Sequence, residues 1–150
     1  MEPVAHFDLN RYLGTWYEIA RMPAGFENNL IRVTATYSLR NDGKVKVENE
    51  GVDVKSLKRK RAIGKAKFAG SADVGYLKVS FFGPFYADYV ILELDQDYRY
   101  AMVASSNKYL WILSRTPALE KATVDASMEK ARSLGFETEK IYFTPHSTQQ

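Results

Sequence analysis

Few side chains in this sequence could do covalent chemistry, and their spacing argues against it. The two histidines, His6 and His146, stand near opposite ends of the chain, where neither is positioned as a general base. No cysteine and no Gly-x-Ser-x-Gly occur, which removes thiolate and serine nucleophiles, disulfides and Cys-type zinc sites together. Glu18 shares strand parity with Trp16 and so faces inward, where a lone carboxylate reads as part of a floor hydrogen-bond network rather than as a catalyst. The run Lys58-Arg59-Lys60-Arg61 lacks the interleaved aromatics on which single-stranded nucleic acid stacks. No catalytic residue, metal, cofactor or nucleic-acid partner is therefore expected. What remains is non-covalent binding.

The stretch that could organise such binding is Asn10-Arg11-Tyr12-Leu13-Gly14-Thr15-Trp16-Tyr17-Glu18-Ile19-Ala20, where a short turn ends on a glycine and a strand begins on a tryptophan. Gly14 lets the backbone take a dihedral barred to other residues, or approach a neighbour closely. Trp16 offers a large face to bury and one N–H that needs a partner. This segment is expected to plug one end of a closed antiparallel barrel. A chain of 150 residues is most simply one domain, with residues 1–6 and 146–150 as flexible ends. At 45% hydrophobic and 26% charged it is neither disordered nor membrane-spanning, and a formal charge of +3 is too small to argue for nucleic acid. No run of eighteen apolar residues and no signal-peptide core near Met1 occur, so these residues are expected to be soluble. A monomer or a homodimer fits equally.

The other elements follow from periodicity. Asp8 caps a helical turn over 9–13, a strand follows over 15–22, and 23–29 form a long loop. From Leu30 the chain alternates, with Ile31, Val33, Ala35, Tyr37 and Leu39 on one face and Arg32, Thr34, Thr36, Ser38 and Arg40 on the other. Asn41-Asp42-Gly43 makes a hairpin, beyond which Val45, Val47 and Asn49 share a face. Over 60–68 the small residues Ala62, Gly64 and Ala66 lie in register with Phe68, which leaves room inside a barrel. Leu77, Val79 and Phe81 form the next inward set, broken by Phe82-Gly83-Pro84-Phe85. The strand over 86–94 is apolar on both faces, so its parity is open; Val90, Leu92 and Leu94 are assigned inward. Tyr98, Tyr100, Met102 and Ala104 are assigned inward on the seventh strand, and Tyr109, Trp111 and Leu113 on the eighth. One helix is expected from a Thr116 cap and Pro117 to a stop at Gly135-Phe136, with Val124, Met128 and Ala131 as its apolar stripe. Ile141, Tyr142 and Phe143 form a last short strand. The fold class is all-β: an eight-stranded antiparallel up-and-down barrel with one C-terminal α-helix packed on the outside.

In a meander alternate strands run oppositely, so the loops after the first, third, fifth and seventh strands lie at the end away from Trp16. The loop over 23–30 is then a lid over that open end. Inward parity nominates Ala20, Met22, Val33, Ala35, Tyr37, Val47, Asn49, Ala62, Val79, Phe81, Val90, Met102, Tyr109 and Trp111 as cavity wall. Of these, Asn49, Tyr37 and Tyr109 either orient a head group or satisfy one another. Lys55, Lys58, Arg59, Lys60 and Arg61 fall at the open end together with Phe82, Phe85 and Tyr86, and no acidic residue lies between Val54 and Ala72 to neutralise the cluster. A basic, aromatic rim suits transient contact with an anionic membrane.

Three separated blocks resemble the signatures of the lipocalins: Gly14-Thr15-Trp16, Asp97-Tyr98 with Tyr100-Ala101, and Arg115 after the eighth strand. The stretches 12–21, 33–40, 78–86 and 109–117 resemble the bacterial outer-membrane group of that family, to which apolipoprotein D and the plant temperature-induced lipocalins are related. The resemblance runs from Phe7 to Phe143. It implies a cavity for a fatty acid or lysophospholipid; the alternative readings are a lipid-modifying enzyme on the same barrel, or a binder of another hydrophobic ligand such as a tetrapyrrole or sterol. It also implies that Arg115 lies across Trp16 and that Gly14, Trp16 and Arg115 form the barrel floor. Bacterial members carry a lipid on an N-terminal cysteine that these residues lack. A place at the outer membrane facing the periplasm is thus implied for a lipidated form.

Overall fold

The computed structural model describes residues 1–23 and 30–146. Eight strands, β1 (Gly14–Arg21), β2 (Leu30–Leu39), β3 (Val45–Asp53), β4 (Arg59–Phe68), β5 (Tyr76–Phe82), β6 (Phe85–Leu94), β7 (Tyr100–Ser105) and β8 (Tyr109–Ser114), each pair antiparallel with the next. β1 pairs with both β2 and β8, which closes the barrel and leaves none of the eight as an open edge. A four-residue turn of helix, α1 (Leu9–Tyr12), precedes β1, its first turn capped by the Asp8 carboxylate accepting from the Asn10 N–H. The hairpin between β2 and β3 turns on Gly43, at φ +84°.

The ring closes unevenly. β1 pairs with β2 only from Gly14↔Tyr37 to Tyr17↔Thr34. Beyond that point the C-terminal strand β9 (Tyr142–Phe143) takes over, pairing Ala20↔Phe143 and Arg21↔Tyr142. Thr144 N–H then donates to Ile19 O at 3.0 Å, and Arg32 N–H donates to Pro145 O at 2.7 Å. His146 Nε2 lies 2.7 Å from Glu18 O. Residues 142–146 therefore fill the seam and satisfy backbone groups that β1 and β2 leave unpaired there. Of the expected flexible C-terminal end, His146 is held in this way, and 147–150 lie outside the described residues.

The N-terminal arm, expected to be loose, is strapped across the barrel. Val4 N–H donates to Ile91 O and Gly75 N–H to Val4 O, both at 2.9 Å, and Phe7 N–H donates to Asp73 O at 2.9 Å. A Cβ on Gly75 would lie 2.7 Å from Val4 Cγ2, so the close approach requires glycine. Phe7 enters the core with Tyr12, Trp16 and Tyr98.

Two apolar clusters share the barrel wall. Inside lie Tyr12, Trp16, Tyr37, Val45, Val47, Ala66, Leu77, Ile91, Val103 and Leu113. Outside, Ile19, Ala20, Val90, Leu92, Met102, Ala104, Leu110 and Ile112 are covered by Met128 and Ala131 of helix α2 (Lys121–Ser133), with Val124 and Phe136 beside them. The helix starts four residues later than its sequence suggests. The Thr116 hydroxyl donates to Ala118 O at 2.6 Å, and its N–H donates to Ser114 Oγ, so Thr116 and Pro117 belong to a turn rather than to a cap. The C-terminus ends as expected. Gly135, at φ +97°, donates to Arg132 O, and Phe136 N–H reaches back to Ala131 O, the paired bonds of a Schellman stop.

Candidate functional site: the barrel cavity and its floor

The floor is built around Trp16, which is fully buried and donates its indole N–H to Tyr12 O at 2.8 Å. The Arg115 guanidinium lies over the indole with its carbon 3.9 Å from the ring centroid. Its N–H groups donate to Arg11 O at 2.7 Å, Thr15 O at 3.2 Å and Tyr98 O at 3.3 Å. Partial burial lowers the Arg115 pKa from its ordinary value. Gly14 sits at φ +105°, a dihedral that disfavours any side chain, and a Cβ there would lie 3.2 Å from Arg115 Nη1 and crowd the guanidinium. Gly14 and Trp16 thus form one layer with Arg115, which lies about a hundred residues further along the chain.

Above this layer the barrel encloses a cavity of about 340 Å³, within the range of small-molecule sites. Nine of the nominated wall residues line it: Val33, Ala35, Tyr37, Val47, Asn49, Ala62, Val79, Phe81 and Trp111. Their elements explain the room inside. At Gly64 an added Cβ would come within 2.5 Å of Ser80 O and 2.7 Å of the Phe81 ring, so β4 gives up a side chain to let Phe81 lie across it.

Five nominated residues do not line the cavity, and each has a physical reason. Ala20 and Met22 follow a β-bulge between Glu18 and Ala20 that reverses the parity of β1 and turns them under α2. Val90 and Met102 also belong to the outer cluster, as does Leu92, while Leu94 alone of the inward assignments on β6 packs against the inner cluster. β6 carries its own bulge between Ile91 and Glu93. The bulge is what allows Asp88 and Glu93, five residues apart, both to avoid the core. Their odd spacing is the one sequence signal that could have revealed it. β7 offers no such signal, because it is apolar on both faces. Tyr109 sits at the rim, stacked on Trp111 with ring centroids 6.4 Å apart. In place of these five, Ala87, Tyr89, Val103, Ser105 and Leu113 face the cavity, with Glu18, Leu30, Thr34 and Gly51.

Glu18 is buried, but in the seam rather than in the floor network. The β1 bulge brings Glu18 and Arg21 to one face, where Arg21 Nη1 donates to Glu18 Oε2 at 2.6 Å and Thr144 Oγ1 donates to the same oxygen at 2.5 Å. The Arg21 guanidinium also lies 4.6 Å from the Tyr142 ring centroid. Burying an ion pair is tolerable only when its hydrogen bonds are supplied in this way.

Three tyrosines meet at the bottom of the cavity. Tyr12 Oη lies 2.6 Å from Tyr89 Oη, which lies 2.7 Å from Tyr37 Oη. Burial raises all three pKa values, that of Tyr37 to about 12, and keeps the hydroxyls protonated.

At the mouth the basic run is exposed, but register partly neutralises it. Arg59 pairs with Glu50, and Arg61 with Glu48 at 2.7 Å, carboxylates supplied across β3 rather than along the run. The Arg59 hydrogen bond holds the Glu50 carboxyl below its usual range. Among the described residues, Lys55, Lys58 and Lys60 make no ion pair, and Lys60 lines the cavity. Phe82 and Phe85 are 80% and 77% exposed. Of the lid expected over 23–30, residues 24–29 lie outside the described residues, and Leu30 belongs to β2.

A family profile described as a lipocalin-like domain matches residues 7–146. The chain belongs to the lipocalin family. Lipocalins bind small hydrophobic ligands. This lipocalin is 48% identical over 145 residues to the outer membrane lipoprotein Blc of Vibrio cholerae serotype O1, covering 95% of this chain and 85% of that protein. It is 38% identical to temperature-induced lipocalin-1 of Arabidopsis thaliana, covering 98% and 83%. Among solved structures, insecticyanin from the tobacco hornworm Manduca sexta superposes with a TM-score of 0.81 at 25% identity, covering 99% of this chain and 85% of that one.

Proposed function

We propose that this lipocalin binds and carries a fatty acid or lysophospholipid non-covalently. The observation that carries the reading is an apolar cavity of about 340 Å³ with an unpaired lysine, Lys60, on its wall at the mouth. Each methylene of an acyl chain transferred from water contributes about 0.8 kcal/mol, and the ammonium suits an anionic head. The kinship with outer membrane lipoproteins supports a role in lipid transport, storage or membrane maintenance at the outer membrane, facing the periplasm, for a lipidated form. Native mass spectrometry of the purified protein tests this: a co-purified mass of an acyl lipid is expected. A tetrapyrrole or sterol in its place, or turnover of a lipid ester by the protein, would overturn the reading. Trp111→Ala should weaken binding of a fluorescent fatty acid, because it removes an aromatic wall.

The exposed pair Phe82 and Phe85 of the β5–β6 hairpin, at the same end of the barrel as Lys55 and Lys58 of the β3–β4 connection, supports a second step, docking of the mouth on an anionic bilayer during loading. Each cation near such a surface contributes about 1 kcal/mol, fading within a Debye length. Sedimentation with anionic but not neutral vesicles, lost in high salt and on changing residues 58–61 to serine, is expected. Equal recovery in the supernatant with both vesicle types at low salt would end the docking idea.

A further inference from the structure

The three hydroxyls at the bottom of the cavity carry three protons, and two hydrogen bonds join them. Tyr89 can donate only once, so each internal bond uses one proton and one always remains. If the chain of donation runs from Tyr12 through Tyr89, the spare proton is on Tyr37. If both outer hydroxyls donate to Tyr89, it is on Tyr89. Only the reverse direction leaves it on Tyr12. Among the described residues none of the three hydroxyls has another partner. Tyr37 and Tyr89 line the main cavity and also a void of about 10 Å³ beneath it, so they partition the barrel interior. The other walls of that void are apolar, among them Phe7, Leu77 and Val79.

A buried donor without an acceptor is unfavourable, and a plain acyl chain brings no acceptor this deep. The charge around the trio decides which acceptor fits. A carboxylate there would be buried beside neutral phenols, with no cation in contact. Arg115 does not line the cavity; its charge acts on Tyr12 from the floor, and its N–H groups are spent on the carbonyls of Arg11, Thr15 and Tyr98. An uncompensated charge is costly in such a place, whereas a neutral oxygen is not. The unpaired cation is at the other end. Gly64 is in register with Val47 and Val47 with Tyr37, so Lys60 stands four residues above the trio, ~13 Å at about 3.3 Å per strand residue.

We propose that the Tyr12–Tyr89–Tyr37 hydroxyl chain is a binding site for one neutral oxygen, a hydroxyl or a carbonyl, carried well along the acyl chain of a ligand whose anionic head lies at the mouth. The preferred ligand class is thus an oxygenated acyl chain. This rests on the acyl-carrier reading above, and the two can fail separately. The test is titration of the protein with stearic acid and with its mid-chain hydroxy and oxo derivatives, repeated on the Tyr37→Phe/Tyr89→Phe double variant. The unmodified protein should bind a mid-chain derivative about five- to tenfold more tightly than stearic acid, the effect of one net hydrogen bond. That ratio should fall to about one in the Tyr37→Phe/Tyr89→Phe double variant, which leaves no hydroxyl of the trio on the cavity wall, and a derivative oxygenated next to the carboxyl group should show no preference. Equal affinity for stearic acid and all derivatives, as expected if a trapped water holds the spare proton, overturns the proposal and leaves the carrier reading standing. A ratio that survives in the double variant also overturns it. Failure to bind any of these acids removes both readings.

Discussion

The Arg115 guanidinium covers the Trp16 indole at 3.9 Å while its N–H groups donate to three backbone carbonyls on three different segments. One side chain therefore ties the approach to β1, the first residues of β1 and the turn before β7 into a single layer. Arg115→Ala should lower stability by about 1–3 kcal/mol, through lost packing and hydrogen bonds. Arg115→Lys should recover only part of this, since an ammonium cannot reproduce a planar fork. Denaturant midpoints measure both, and the effect on ligand affinity should be much smaller. Coincident midpoints for the unmodified and Arg115→Ala proteins would contradict this account of the floor.

The close approach at Gly64 makes a second prediction. A methyl group there meets the backbone oxygen of Ser80 as well as the Phe81 ring, so rotation of Phe81 alone cannot relieve it. Gly64→Ala should cost about 1–3 kcal/mol as overpacking and should shrink the cavity. Thermal unfolding and fatty-acid titration read the two effects. A variant with unchanged stability would mean that β4 and β5 are not this close.

Met102 provides a test of which face of β7 is inside. It is fully buried in the cluster beneath α2 rather than on the cavity wall. Met102→Ala should destabilise the protein by about 2–5 kcal/mol, and Met102→Lys by more, because an unpaired charge would be buried there. Fatty-acid affinity of the folded fraction should change little. A folded Met102→Lys protein with normal stability and lost binding would restore the opposite parity.

The tyrosine trio makes stability sensitive to alkali. Because burial raises the folded pKa values above the ordinary 10.0, the folded state holds protons that the unfolded chain releases between pH 10 and about 12. Stability is then fully present below pH 10 and falls as pH rises through that window. For Tyr37 alone the loss is about 3 kcal/mol at about 1.36 kcal/mol per pH unit. Denaturant midpoints measured across the window should fall more gently in Tyr37→Phe than in the unmodified protein. Parallel curves would place the alkaline transition elsewhere.

Periodicity and turn signals were enough to read the barrel, its strand count and the wall along β2 to β5. Along β2 to β5 the outer face meets water, so Arg, Lys, Glu and Thr alternate with Val, Ala and Tyr, and parity could be read residue by residue. Trp16 and Arg115 were legible for another reason. Their spacing belongs to a family pattern, and the geometry that joins them lies in contacts no periodicity reveals.

The facing of β1 and of β6 to β8 was set by packing in three dimensions. α2 covers the outside of β1, β6, β7 and β8, so both faces of those strands are apolar, and hydropathy carries no information about direction. Two bulges then reverse parity within single strands, which is how Ala20 comes to lie outside the barrel while Glu18 faces in, and how Leu94 faces in while Val90 does not. Cross-strand register set the charge of the rim, by placing Glu48 and Glu50 against Arg61 and Arg59. It also took closure of the ring to bring Tyr12, Tyr37 and Tyr89 within hydrogen-bond distance. A hydrogen bond is a condition on position in space. Residues this far apart in the chain meet it only once the barrel has closed.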